Sequence, residues 1–194
     1  MDPAARITAA AFKRPRRTFA LDMPLSLTAS ACGSAVFILL SYLLLACVPE
    51  TSGSGLEGFP RGSWIGRFDL AQLLGTTIHP PYPTNTTWVI GIILELCVLT
   101  ALGIAYCLML AWGMKRPGTM SGIILGLALY VLLGIGVWTA SGIQPAVMRN
   151  AIPDTGFFLL GWSGWASLAI LISSLAYGAC VGGIYRISQS LGSS

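Results

Sequence analysis

The stretch WVIGIILELCVLTALGIAYCLMLAWGM, Trp88–Met114, carries one acid, Glu95, and neither Lys nor Arg. At about 1.5 Å rise per residue, a helix of this length crosses a hydrocarbon core of about 30 Å. A helix satisfies every backbone donor and acceptor within the segment, which lipid demands, whereas barrel strands would be shorter and would alternate in polarity.

Three further stretches read the same way. Residues 25–48 form the first span, between Pro24 and Pro49, residues 119–142 the third, and residues 158–185 the fourth. The chain as a whole is 55% apolar and 9% charged, far below the roughly 25% charge of an ordinary soluble domain. The sequence therefore predicts an all-α integral membrane protein, a four-helix bundle with no room in its 194 residues for a second folded domain.

Orientation follows from the positive charges. The basic arm of residues 1–24 holds Arg6, Lys13, Arg14, Arg16 and Arg17, the turn between the second and third spans holds Lys115 and Arg116, and the tail of residues 186–194 holds Arg186. The two opposite loops hold Arg61, Arg67 and Arg149. The positive-inside rule places both termini in the cytoplasm and the chain in the cell's inner (cytoplasmic) membrane. Trp88, Trp138, Trp162 and Trp165 then fall at outer helix ends and Trp112 at an inner one, as interfacial aromatics do.

Lys13, Arg14, Arg16 and Arg17 are placed to lie against anionic lipid headgroups. No aromatic platform accompanies them, so nucleic acid is not an expected partner. A lipoprotein-type signal ending before Cys47 is disfavoured because the apolar region is long for one.

The long extracytoplasmic loop of residues 49–87 opens with Thr51-Ser52-Gly53-Ser54-Gly55 and closes with His79-Pro80-Pro81-Tyr82-Pro83. Between them, residues 64–74 are expected to form a short interfacial helix. Its apolar groups, Trp64, Ile65, Phe68, Leu70, Leu73 and Leu74, call for cover by a partner or by the headgroup layer.

Little in the sequence points to chemistry. Cys32, Cys47, Cys97, Cys107 and Cys180 are odd in number and form no CxxC pair, which reads as packing. His79 stands alone in a proline-rich turn, and no histidine lies inside a span to ligate haem. No nucleophile–base pair or metal-spaced cluster is present, so no catalytic residue, metal or cofactor is expected. The sequon Asn85-Thr86-Thr87 abuts the membrane and carries no functional weight.

Glu95 remains the candidate, with two readings. An intramembrane carboxyl handles a proton or cation when several polar groups lie in series with it, and is a structural hydrogen-bonding group otherwise. The structural reading is favoured on sequence alone. A short echo between residues 103–106 and 182–185 sets Glu95 opposite Ser174 as the corresponding polar position of a duplicated pair.

Gly118, Gly122 and Gly126 recur every four residues on the third span, and Ser174, Gly178 and Gly182 on the fourth. Such stripes let helix backbones approach closely, either within the chain or against another subunit.

The segment of residues 68–75 before the second span, Glu95 to Tyr106, and the closing residues 177–185 resemble a family of small prokaryotic four-helix membrane proteins of unassigned activity. Some of its members accompany haem–copper oxidase subunits. Some carry His where this chain has Glu95 and Ser174, so a ligand role does not carry over. The resemblance implies an accessory, non-catalytic subunit of a larger energy-converting membrane complex, a respiratory oxidase or a photosynthetic assembly, with other integral membrane subunits and lipids as partners. The alternatives are a stand-alone transporter or channel using Glu95, or an assembly factor.

Overall fold

The structure is a computed structural model that describes residues 19–46, 70–79, 84–113, 118–149, 154–160 and 164–191. Its helices are α1 (Phe19–Ala46), α2 (Leu70–Ile78), α3 (Asn85–Gly113), α4 (Thr119–Ser141), α5 (Pro145–Met148) and α6 (Gly164–Leu191), with a 3-10 turn at Phe157–Leu159. No strand occurs among the described residues. Four of the helices, α1, α3, α4 and α6, are long and apolar enough to cross a membrane. The protein is a multi-pass membrane protein built as a helix bundle.

The ends of the spans have local causes. Thr84 and Thr87 cap α3 reciprocally: the Thr87 N–H donates to Thr84 Oγ1 at 3.2 Å, and the Thr84 N–H donates to Thr87 Oγ1 at 2.8 Å. Each satisfies a donor that a helix start leaves open. At the start of α4 the Gly118 N–H donates to Ser121 Oγ.

Several helix bounds differ from the sequence reading, α3 beginning at Asn85 and α6 ending at Leu191, and two of the shifts have a local cause. Helix α1 begins at Phe19, with Pro24 inside it, because an early proline costs a helix one hydrogen bond and need not end it. The fourth span begins at Gly164, since Phe158 and Leu159 have φ of 52° and 62°. These left-handed conformations interrupt a helix that the apolar composition alone would extend. Phe158 is held there by packing: its ring lies over Gly134 of α4 and 5.2 Å from the Tyr130 ring.

The spans do not pack in chain order. Helix α6 lies between α1 and α4, and α3 lies on the other side of α1. Half of the α6 span is buried, against 33% for α1, 22% for α3 and 28% for α4, which marks α6 as the centre. Its Ile170, Tyr177, Val181 and Tyr185 are at most 1% exposed.

Glycines set the closeness of each contact. A β-carbon on Gly122 would collide with the Gly178 carbonyl, and one on Gly126 with the Ser174 carbonyl, so α4 and α6 touch backbone to backbone. Gly182 stands equally close to Gly118 and Gly122. Between α1 and α6, a β-carbon on Gly33 would lie 2.5 Å from Val181 Cγ2. Without a hydrophobic force between helices in lipid, such close packing supplies much of the cohesion.

The short helix is described over residues 70–78, continuing past the expected end at residue 74, and residues 64–69 lie outside the described residues. It packs on α3 of the same chain, burying Leu70, Ala71, Leu73, Gly75 and Thr76. The reason is again glycine: β-carbons on Gly75 and Gly91 would collide with the carbonyls of Thr87 and Ala71.

Candidate functional site

One stripe of α3 faces inward through Thr87, Gly91, Glu95, Leu99, Gly103 and Cys107, all spaced by four residues. This spacing keeps the residues on one helix face. The first two meet α2, while Gly103 meets Ser30 of α1 and Tyr177 of α6. Glu95 falls between these zones and is 3% exposed. It lies ~15 Å along α3 from Asn85 at 1.5 Å per residue. Among the described residues it is the only charged side chain away from the ends of the four spans.

The side of α1 turned to this stripe is polar. Ser26, Ser30 and Ser34 are fully buried at successive turns, and Ser41 is 3% exposed. Each of the first three hydroxyls donates to a carbonyl about one turn earlier: Ser34 to Ser30 O at 2.8 Å, Ser30 to Ser26 O at 2.6 Å, and Ser26 to Met23 O at 2.8 Å. The Ser34 hydroxyl also lies 3.2 Å from Thr100 Oγ1 of α3. Tyr177 crosses from α6 and donates to the Leu99 carbonyl at 2.7 Å, one turn from Glu95.

On the other side of Glu95 stands a second network. Thr87 Oγ1 donates to Gln72 Oε1 at 2.8 Å, and Gln72 Nε2 donates to the Thr84 carbonyl at 3.2 Å. From the connection after α4, Gln144 Nε2 reaches Thr76 Oγ1 at 2.7 Å and also donates to the Leu73 carbonyl. Helix α2 is thereby tied to both α3 and the segment following α4.

Ser174 is also fully buried, and its hydroxyl has no hydrogen-bond partner among the described residues. It lies where α6 meets α4, so the structure does not bring it together with Glu95. The echoed glycines likewise occupy different settings, Gly103 against Ser30 and Tyr177, Gly182 against Gly118 and Gly122. Gly118, Gly122, Gly126, Gly178 and Gly182 serve the internal α4–α6 contact. The arm residues Lys13, Arg14, Arg16 and Arg17 lie outside the described residues. His79 is exposed after α2, and the described residues contain no group of three His, Cys, Asp or Glu side chains able to hold a metal.

The sequence reading missed the polar residues that pack along the inward stripe of α3. Ser26, Ser30 and Ser34 carry a legible signal, their four-residue spacing in an apolar span. Gln72 and Tyr177 carry none, because only the packing order brings their helices to α3. No family model, characterised protein or solved structure matches the chain.

Proposed function

We propose that the protein is a non-catalytic subunit of a larger energy-converting membrane complex, and that Glu95 is its working group, a carboxyl that takes up and releases a proton within the membrane. The complex that the sequence resemblance favours is a respiratory oxidase, in the cytoplasmic membrane, with both termini on the cytoplasmic side. The observation that carries the role of Glu95 is its burial, 3% exposed, in the interior of a helix long and apolar enough to cross a membrane. Proton handling by an intramembrane acid requires polar groups in series, and lipid-buried acids without a role are rare.

Association with other subunits fits the tight seating of α2. The backbone contact of Gly75 and Gly91 seats α2 against α3 one turn from Glu95. A partner that uses the proton, or displaces α2, completes the path. Mild-detergent purification from native membranes tests this: co-migrating integral subunits are the expected result, and recovery only as a free monomer counts against it.

The buried Glu95 carboxyl also fits a second reading, a stand-alone transporter. It predicts that purified protein alone moves protons into liposomes and that Glu95→Gln stops the movement with the fold intact. Absence of flux rejects that reading and leaves the subunit reading standing.

A further inference from the structure

The connection between α4 and α6 leaves one span at Ser141 and enters the next at Gly164. Its described parts carry large apolar side chains that stand open: Ile143 is 79% exposed, Met148 72%, Leu160 58% and Phe157 51%. Apolar groups gathered on a surface in this way mark a contact, since water is a poor solvent for them.

Backbone geometry puts two of these groups outside. Around the run Phe157-Phe158-Leu159-Leu160, Gly156, Phe158 and Leu159 have φ of 61°, 52° and 62°. Bulky residues keep such a conformation only where their surroundings hold them in it. Here the turn divides the run. Leu159, 1% exposed, and the Phe158 ring, lying over Gly134 and 5.2 Å from the Tyr130 ring, go into the bundle, while Phe157 and Leu160 are left outside. Asp154 ties the start of the turn to the end of α4: its Oδ1 accepts from the Ser141 hydroxyl at 3.0 Å and from the Gly156 N–H at 3.1 Å.

What covers the exposed groups follows from the surface they continue. Phe157 meets the Trp138 ring edge-on at 5.4 Å, and Trp138, itself exposed, stands in the last turn of the α4 span. Ile135 and Val131, three and seven residues earlier on the same face of that span, are exposed as well. Trp165 is exposed in the first turn of α6, so a tryptophan marks the interface level at both span ends. Arg149, exposed directly after Met148, places a cation where lipid phosphates lie while its apolar neighbour stays below.

We propose that this connection is seated in the bilayer, with Ile143, Met148, Phe157 and Leu160 among the acyl chains just beneath the phospholipid headgroups and Arg149 at the phosphates. The left-handed turn is the device that presents Phe157 and Leu160 to lipid. In the native complex this face meets phospholipid, and neighbouring subunits attach to other faces, whether or not Glu95 titrates.

The test places p-benzoylphenylalanine in the full chain at position 143, 157 or 160, one at a time, and at position 132 as a mid-span reference, where Leu132 is 59% exposed. Native membranes are illuminated and the adducts identified by mass spectrometry. Each of the three positions should give phospholipid adducts within about threefold of the reference yield. A crosslink to another protein chain overturns the proposal and makes the face a subunit contact. Absence of both kinds of adduct, while position 132 labels lipid, overturns it by placing the face in water. The unaltered chain gives an independent reading: hydroxyl radicals generated in the aqueous phase should oxidise Met148 in native membranes roughly tenfold more slowly than free methionine. Oxidation at the rate of free methionine overturns the proposal.

Discussion

Glu95 and Tyr177 occupy neighbouring turns of one inward stripe, yet their substitutions should act differently. Glu95→Gln keeps the size and hydrogen-bonding capacity of the side chain while removing its titration. Unfolding in bicelles should shift by less than about 1 kcal/mol, and the proton-coupled activity of the native complex should fall. Tyr177→Phe removes the hydroxyl that binds the Leu99 carbonyl. Interhelical hydrogen bonds in lipid average about 0.6 kcal/mol, so a loss of about that size is expected, read by the same unfolding assay. Glu95 was legible in the sequence as the lone acid of its span. Its surroundings were not: the spacing of Ser26, Ser30 and Ser34 was visible, but no local pattern encodes that α1 and Tyr177 of α6 lie against α3.

Among the helices, α4 and α6 meet through glycine, and the spacing of Gly118, Gly122 and Gly126 already announced a close contact. The choice between an internal neighbour and an external one required the packing itself. Gly122→Leu and Gly178→Leu each force a branched side chain into backbone. Each should cost about 3 kcal/mol, measured by unfolding or by loss of the folded band on detergent gels. Gly136→Leu on the same helix α4 is the control: nothing lies within 4 Å of its β-carbon position, so stability should hold. Helix α2 shows the opposite limit. Its apolar residues told that it must be covered, but composition cannot name the cover, and the pairing of Gly75 with Gly91 lay across two separate segments. Gly75→Val should undock α2 and expose it to added protease while the four spans stay folded.

At the scale of the molecule, number of spans and apolar length were readable because lipid forces long uninterrupted helices. Their order across the bundle, α3, α1, α6, α4, was not, since similar apolar surfaces face every neighbour. This order makes a prediction about the two halves of the chain. A break between α3 and α4 leaves the α1–α6 contact, with Gly33 under Val181 and Tyr177, as the seam between fragments. Co-expressed fragments 1–117 and 118–194 should therefore co-purify, and Gly33→Leu should separate them.

The central position of α6 also governs biosynthesis. Chains emerge amino terminus first, at about 5–20 residues per second, so α1 and α3 enter the membrane before the helix that fills the middle has been made. During that interval the small side chains of α1 that later contact α6 are left facing whatever the insertion machinery provides. The interior of this protein is complete only once α6 is inserted, and a message truncated ahead of Gly164 would deliver a product without the helix that covers Gly33 and Gly103.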